Sequence, residues 1–178
     1  MSFRHVTRGG SYFRLVDPAW RDPLDGHSGV ATGGRWNEPG SFPVVYLNRT
    51  RSLARKFVAH KLADQPYSPE DLDPGAGPML VTADLENEDH VDVVTDEGCI
   101  AAGLPCSYPC DDAGETIPHE VCRPIGQAAW DTGEPGIACR SASKAAAITD
   151  EELAWFQRAD TLIAVDEEPF SSWFFGAE

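Results

Sequence analysis

The chain has 178 residues, 42 % of them apolar, and a formal net charge of −15. A chain of this length buries a hydrophobic core of its own, so we expect one domain over residues 1–178. The negative charge argues against nucleic acid as a partner, because phosphate binding requires a basic surface.

Three features bear on the cellular compartment. No apolar run of about eighteen residues, the length of a membrane helix, occurs in the chain, and the first ten residues lack the apolar segment of a secretory signal. The five cysteines are an odd number, which suits a reducing compartment. These features predict a soluble, cytoplasmic protein that does not contact a membrane.

Charge is distributed unevenly along the chain. Residues 1–61 contain ten of the fourteen Lys and Arg residues and four acids, whereas residues 62–178 contain four basic residues and twenty-five acids. One interpretation is a basic pocket for a small phosphorylated ligand inside an acidic protein. The other is that opposite charges meet across one folded surface.

The first third of the chain predicts strand, loop, strand and helix. Residues 11–16 alternate in polarity as a strand does, and residues 17–34 are rich in Pro, Asp and Gly, as in a surface loop. Residues 42–47 are β-branched and aromatic and predict a buried strand. Apolar residues then recur at helical spacing over 49–65, with Thr50 or Ser52 as the cap and Pro66 as the stop.

The remainder predicts alternating strands and helices around an irregular middle, residues 95–121. Short helices are expected around 125–130 and over 149–160, where Thr149 and Glu152 form a capping-box pattern. Further strands are predicted at 79–85, at 90–94, at a segment ending near residue 141, at 161–165 and at 171–175.

Common nucleotide and hydrolase motifs do not occur in the sequence. It contains neither G-x-x-x-x-G-K-[ST] nor G-x-G-x-x-G between strand and helix, and neither G-x-S-x-G nor H-E-x-x-H. Cys99, Cys106 and Cys110 are spaced C-x6-C-x3-C, but there is no C-x-x-C pair and no histidine at ligand spacing. The alternatives are a zinc site and thiols lying in a loop or core; we favour the second and predict no metal.

Arg35 follows two glycines, which let a ligand approach the backbone closely. Its guanidinium is suited to gripping a phosphate or carboxylate with two parallel hydrogen bonds, and Trp36 offers a ring for stacking. The alternative is that Arg35 pairs with a surface acid while Trp36 caps the core. Tyr46 either presents its hydroxyl to a pocket or packs within the sheet, and Ser141 on its own is usually structural.

Taken together, these segments resemble the RES-domain family, whose members are toxins of bacterial RES–Xre toxin–antitoxin pairs. The opening "YFRLVDPAW" resembles the start of the family pattern, and "GGRWNEPGSFPVVYLN" is closely similar to its G-R-W-N block. "GIACRSAS" is similar to its later serine segment. The similarity covers most of residues 11–160.

The resemblance implies an α/β (α+β) fold like that of ADP-ribosyltransferases, with a mixed, twisted central sheet and flanking helices. It implies cleavage of NAD between nicotinamide and ribose, by hydrolysis, phosphorolysis or ADP-ribosyl transfer, with NAD as substrate and no prosthetic group. It also implies an Xre-type antitoxin as partner, and it favours a homodimer because oligomers are common in the family.

The resemblance also implies roles for individual residues. Arg35, Tyr46 and Ser141 would be catalytic: Arg35 would hold the pyrophosphate or adjoining ribose, Tyr46 would orient the ribose, and Ser141 would contact the nicotinamide side. Gly34, Trp36 and Asn37 would join Arg35 and Tyr46 in binding the ligand.

One position departs from the family pattern, which has a glutamate eleven residues after the tyrosine. That count reaches Phe57, and no acid occurs between Glu38 and Asp64. Three explanations follow: an impaired member that binds a nucleotide or protein partner without turnover, a distant acid such as Glu120 or Glu152 that substitutes, or a ligand other than NAD.

Overall fold

The computed structural model describes residues 2–63, 65–73, 75 and 77–176. The strands are β1 His5–Val16, β2 Val44–Asn48, β3 Met79–Val93, β4 Gly136–Arg140, β5 Glu151–Phe156 and β6 Ala164–Glu168. The α-helices are α1 Arg51–Leu62, α2 Asp96–Ala101, α3 His119–Asp131 and α4 Phe170–Trp173. Among the described residues, no helix is long and apolar enough to cross a membrane.

The six strands form one mixed sheet in the order β1-β2-β5-β4-β3-β6, and β1 also pairs with β3. The β3–β4 ladder is parallel, whereas the other ladders are antiparallel. The pairings therefore run in a closed circuit from β1 through β2, β5, β4 and β3 back to β1. This mixed sheet with flanking helices confirms the predicted fold class.

The β2–α1 segment folds close to its prediction. Thr50 is the N-cap of α1, and its hydroxyl accepts a hydrogen bond from the Leu53 amide at 3.1 Å. The helix buries Leu53, Ala54 and Val58 against the sheet. Phe57 lies next to the buried Val58 in α1 and is itself half-buried.

The prediction of a helix over 149–160 is wrong, because this segment contains strand β5. Val44 to Asn48 of β2 pair with Phe156 to Glu152 on one side, and Gly136 to Arg140 of β4 pair with Trp155 to Glu151 on the other. A strand hydrogen-bonded on both sides gains ladder and packing energy that outweighs a local capping pattern. The predicted helix cap residue Glu152 consequently lies in the middle of the sheet.

Three other expectations about local structure also need correction. The predicted strands 79–85 and 90–94 are parts of the single strand β3, which pairs with β1 along most of its length. The middle segment is less irregular than expected, since it contains α2 and the first turn of α3. Residues 171–175 are not a strand: α4 begins after Pro169 and buries Phe170 and Trp173.

Candidate functional site

The turn that carries Arg35 passes directly over Tyr46, and two glycines permit this approach. Gly33 has a φ of +66°, which disfavours other residues. A Cβ atom on Gly34 would lie 2.3 Å from the Tyr46 hydroxyl oxygen. A side chain at Gly34 would therefore push the turn away from β2, and one at Gly33 would clash with the backbone of residues 37–39 in the same turn.

The Tyr46 hydroxyl holds this turn in place. It accepts a hydrogen bond from the Trp36 amide at 3.0 Å and donates to Asn37 Oδ1 at 2.9 Å. The Asn37 amide in turn donates to the Phe42 carbonyl at 3.1 Å. Burial raises the pKa of Tyr46, so the phenol stays protonated and remains a donor.

Trp36 and Asn37 face the interior. Trp36 is fully buried, and its ring lies 6.0 Å from that of Tyr108 in a tilted arrangement. Asn37 is 2 % exposed. The structure thus places the tryptophan ring in the core, as in the alternative interpretation of the sequence, with the indole unavailable as a stacking platform.

Arg35 is half-buried and reaches from the turn to the segment that precedes α3. Its Nη1 donates to the Ile117 carbonyl at 2.7 Å and lies 3.7 Å from Cys122 Sγ. A guanidinium has five N–H donors in a planar fork, so this anchoring leaves donors for an anion. Arg35 is therefore a cation held in a defined orientation.

Ser141 and Glu152 form a hydrogen-bonded pair between neighbouring strands. Ser141 follows β4, is 3 % exposed, and donates its hydroxyl to Glu152 Oε1. Burial raises the pKa of Glu152, while the Ser141 hydrogen bond and the charge of Arg35 oppose that rise. The pair therefore places a poorly hydrated carboxyl group within the field of Arg35.

These groups surround an open cavity of about 340 Å³. Its lining includes Gly34, Arg35, Tyr46, Phe57 and Glu152, with a small contribution from Trp36. A second cavity of about 280 Å³ shares Tyr46, Phe57 and Glu152. The two cavities adjoin at these three residues, and we call them together the cleft.

The second cavity adds cationic and aromatic groups to the cleft. Its other lining residues include Arg14, Trp20 and Lys61. The Arg14 guanidinium lies 5.4 Å from the centroid of the Trp20 ring, and that ring is 45 % exposed. A half-exposed ring beside two cations is suited to a ligand that combines a flat base with phosphate groups.

The residues singled out from the sequence lie in one region of the structure. Some of them line the cleft, and others contact it through a hydrogen-bonded neighbour. Arg35, Gly34 and Tyr46 line the cleft directly. Asn37 reaches it through the Tyr46 hydroxyl, and Ser141 through the Glu152 carboxylate. Phe57, at the position where the resemblance implies a glutamate, also lines the cleft.

Sequence reasoning named Glu152 only as one of two distant acids that could replace the family glutamate, and its predicted position was in a helix. The acid became a helix cap because Thr149 and Glu152 match the capping box. Its neighbour in space is Ser141, eleven residues earlier, and only the β4–β5 register brings the two together. His119 at the start of α3, which also lines the cleft, carried no sequence signal at all.

Metal binding finds no support in the part of the chain that the structure describes. No group of three or more His, Cys, Asp or Glu side chains there is arranged to hold a metal ion. The five cysteines are free thiols; three are buried, one is half-buried, and Cys106 is exposed. Three of these thiols therefore lie in the core.

Comparisons with known proteins complete the description. No curated protein shows significant sequence similarity to the chain. Three chains of solved structures are similar to it. One belongs to the crystal structure of the M. tuberculosis MbcT–MbcA toxin–antitoxin complex, with a TM-score of 0.70 and 23 % identity, covering 93 % of this chain and 86 % of that chain.

That structural similarity supports the fold described above. Family membership is shown by a match to a protein-family model. The model described as the RES domain matches residues 8–172, which include every residue that lines the cleft. The resemblance noted from the arginine and tyrosine block is thereby confirmed, and the chain belongs to the RES-domain family.

Proposed function

We propose that the protein is a RES-type toxin that binds NAD in the cleft and cleaves the bond between nicotinamide and ribose. The observation that carries the proposal is the convergence of Arg35, Tyr46 and the Ser141–Glu152 pair on one cleft. Membership of the RES family supports it. So does the likeness to a structure described as a toxin–antitoxin complex.

The charges of the cleft suit a dinucleotide. NAD carries a pyrophosphate, and Arg35, Arg14 and Lys61 line successive parts of the cleft. Arg35 would bind the pyrophosphate or the adjoining ribose with two N–H donors. The cations in this region give the basic first third of the sequence a ligand-binding role, whereas polymeric nucleic acids would meet the acidic remainder.

The reaction builds up positive charge at the ribose. As the bond between ribose C1′ and the nicotinamide nitrogen breaks, its electron pair goes to the nitrogen, and the sugar gains oxocarbenium character. An oxygen of water, phosphate or a protein acceptor then bonds to C1′. Tyr46, held by Trp36 and Asn37, would form a rigid wall against the ribose, and Ser141 would lie on the nicotinamide side.

Nicotinamide release by the purified protein tests this proposal, measured with and without added phosphate. Arg35→Ala removes one cation of the cleft and should lower the rate about 10- to 100-fold, because hydrogen bonds to charged groups contribute about 1.5–3 kcal/mol. Arg158→Ala is the matched control. Arg158 is an exposed arginine that also donates to backbone carbonyls, those of Trp130 and Glu134, and it lies outside the residues that line the cleft.

Equal rates for Arg35→Ala and the native chain would contradict the assignment of the site. Loss of activity in both arginine variants would point to a general effect on folding. A phosphate-dependent rate would identify phosphorolysis, and a phosphate-independent rate would identify hydrolysis.

A second candidate function is favoured by one residue of the cleft. Phe57 lines it where the resemblance implies a glutamate, which suits a RES scaffold that binds a nucleotide or a protein without turnover. Such a protein would bind ADP-ribose in calorimetry, release no nicotinamide, and gain turnover in Phe57→Glu.

We also propose an antitoxin as the natural partner, of the Xre type. The proposal rests on the family and on the neighbour described as a complex of toxin and antitoxin. Expression of the chain alone in a bacterium should deplete cellular NAD and arrest growth, and Arg35→Ala should relieve both effects. Unrestricted growth with full NAD levels would contradict a toxic activity.

A further inference from the structure

We propose that Glu152 on β5 supplies the catalytic carboxylate that α1 lacks at position 57. The inference rests on the proposed function, since it names the residue that stabilises the ribose cation during NAD cleavage. Of the acids named from the sequence, Glu120 is an exposed residue in the first turn of α3 and does not line the cleft cavities. Glu152 lines both of them.

The register of the sheet explains why Glu152 reaches the cleft. Tyr46 of β2 lies opposite Ala154 of β5, and Asn48 lies opposite Glu152. Side chains two residues apart on a strand point to the same face, so Glu152 shares a face with Ala154 and therefore with Tyr46. On the other side Glu152 lies opposite Cys139 of β4. The carboxylate thus projects from the centre of the sheet towards the same space as the tyrosine ring.

Among the described residues that line the two cavities of the cleft, Glu152 is the one acid. Phe57 lines both cavities as well. The aromatic ring therefore forms an apolar wall in the space where Glu152 ends. An acid in such surroundings loses hydration, and this loss destabilises the folded protein. A buried acid is therefore typical of a functional site or of an ion pair.

The groups around Glu152 prepare it for a cation. Ser141 donates a hydrogen bond to Oε1, which holds the side chain in one orientation. Arg35 provides a favourable charge, and Tyr46, Tyr108 and Cys139, which also interact with Glu152, have pKa values raised by burial. These three groups are neutral at neutral pH, so Arg35 is the charge that acts most directly on the carboxylate, while His119 lines the first cavity and Arg14 and Lys61 line the second.

The chemical step balances with water or phosphate as co-reactant. The C1′–nitrogen bond breaks, its electron pair stays with nicotinamide, and nicotinamide leaves as a neutral molecule. Glu152 in its ionised form stabilises the positive charge on the ribose. With water as the acceptor, the oxygen bonds to C1′ and the released proton passes to the Glu152 carboxylate and then to solvent. With phosphate, an anionic oxygen bonds to C1′ and no proton transfer to Glu152 is required.

Four proteins test the inference: the native chain, Glu152→Gln, Phe57→Glu, and the double variant Phe57→Glu/Glu152→Gln. Glutamine keeps the size of the side chain and still accepts the Ser141 hydrogen bond, so Glu152→Gln isolates the negative charge. We expect nicotinamide release to fall about 100-fold or more in Glu152→Gln. The double variant should release nicotinamide at least about tenfold faster than Glu152→Gln, because it carries a carboxylate on the other wall of the cleft.

Two further readouts separate chemistry from structure. Calorimetric binding of ADP-ribose should be retained in Glu152→Gln, because the substitution removes charge and keeps shape. The rate of the native chain should decline at acidic pH with a midpoint above 4.5, the ordinary pKa of a glutamate. The residual rate of Glu152→Gln should lack that decline. Glu120→Gln is the matched control, an exposed acid whose loss should leave rate and pH profile unchanged.

The outcomes distinguish this inference from the proposed function. An active native chain with an equally active Glu152→Gln overturns the inference and leaves NAD cleavage standing. Turnover only in proteins that carry Phe57→Glu shows that Glu152 does not replace the family carboxylate. No turnover in any of the four overturns both, and ADP-ribose binding would then identify a non-catalytic scaffold.

Discussion

His90 should make the folded protein lose stability on mild acidification. The ring belongs to β3, is 0 % exposed, and neither of its nitrogens has a hydrogen-bond partner among the described residues. Burial lowers the pKa of His90 from 6.5 to about 4; the charge of Arg8 acts in the same direction and that of Asp89 opposes it. The folded state therefore binds a proton at this ring less readily than the unfolded state does.

The size of the effect follows from the two pKa values. Above 6.5 the ring is neutral in both states and contributes no pH dependence. As pH falls from 6.5 towards 4, protonation favours the unfolded chain, and the full difference amounts to about 3.4 kcal/mol. At about pH 5.5, still above the isoelectric point near 4.6, the loss is about 1.4 kcal/mol relative to pH 7.5, a tenfold change in the folding constant.

Urea unfolding of the native chain and of His90→Leu, at pH 7.5 and at pH 5.5, measures this quantity. Leucine fills a similar volume without titrating, so the acidic and tyrosine side chains contribute equally to both proteins. We expect the free energy of unfolding of the native chain to fall by about 1.4 kcal/mol more than that of the variant. Identical pH dependence in the two proteins would refute an unpaired, buried imidazole at this position.

Three further substitutions and one control, Gly29→Ala, test the surroundings of the cleft by urea unfolding at neutral pH, and Glu152→Gln is also measured at mildly acidic pH. Tyr46→Phe leaves the Trp36 amide without its acceptor and should cost about 1–3 kcal/mol. Gly126→Ala places a Cβ atom 1.7 Å from the Trp36 carbonyl oxygen and should cost at least as much, whereas Gly29→Ala, with no heavy atom within 4 Å, should be nearly neutral. Glu152→Gln should stabilise the protein at neutral pH, because the raised pKa makes ionisation costly in the folded state, and this gain should shrink as pH falls towards 4.5. Equal stability at both pH values would contradict a desolvated carboxylate.

Local signals sufficed where neighbouring residues determine the structure. The strand and helix of residues 44–62 were predicted to within a few residues, because the change from β-branched alternation to helical spacing and the Thr50 cap lie within one segment. The two glycines before Arg35 were interpreted as allowing a ligand to approach the backbone closely; in the structure it is the Tyr46 hydroxyl that lies against Gly34. The features predicted correctly depend on contacts between residues close in sequence.

The predictions failed where segments distant in the chain determine the secondary structure. Glu152 matches a helix cap locally, but β2 and β4 come from about 100 and 10 residues earlier in the chain and impose a strand on it. The aromatic run after Pro169 was interpreted as a strand, yet Phe170 and Trp173, three residues apart, pack as one helical face against Leu80. In each case the tertiary partner, absent from the local pattern, supplies the larger energy.

The site combines a carboxylate position on the sheet with an aromatic position on the helix. Glu152 is held by backbone ladders to Asn48 and to Cys139, so its orientation depends on a strand that is paired on both sides. Phe57 belongs to α1, whose buried residues leave its ring at the edge of the cleft.

An acid in the centre of a sheet costs stability through lost hydration, and an apolar ring beside it increases that cost. The same surroundings make its charge more effective on a ribose cation, since little water screens it. Arg35 and Ser141 limit the rise in the pKa of Glu152, and they thereby favour the ionised form that the proposed reaction requires.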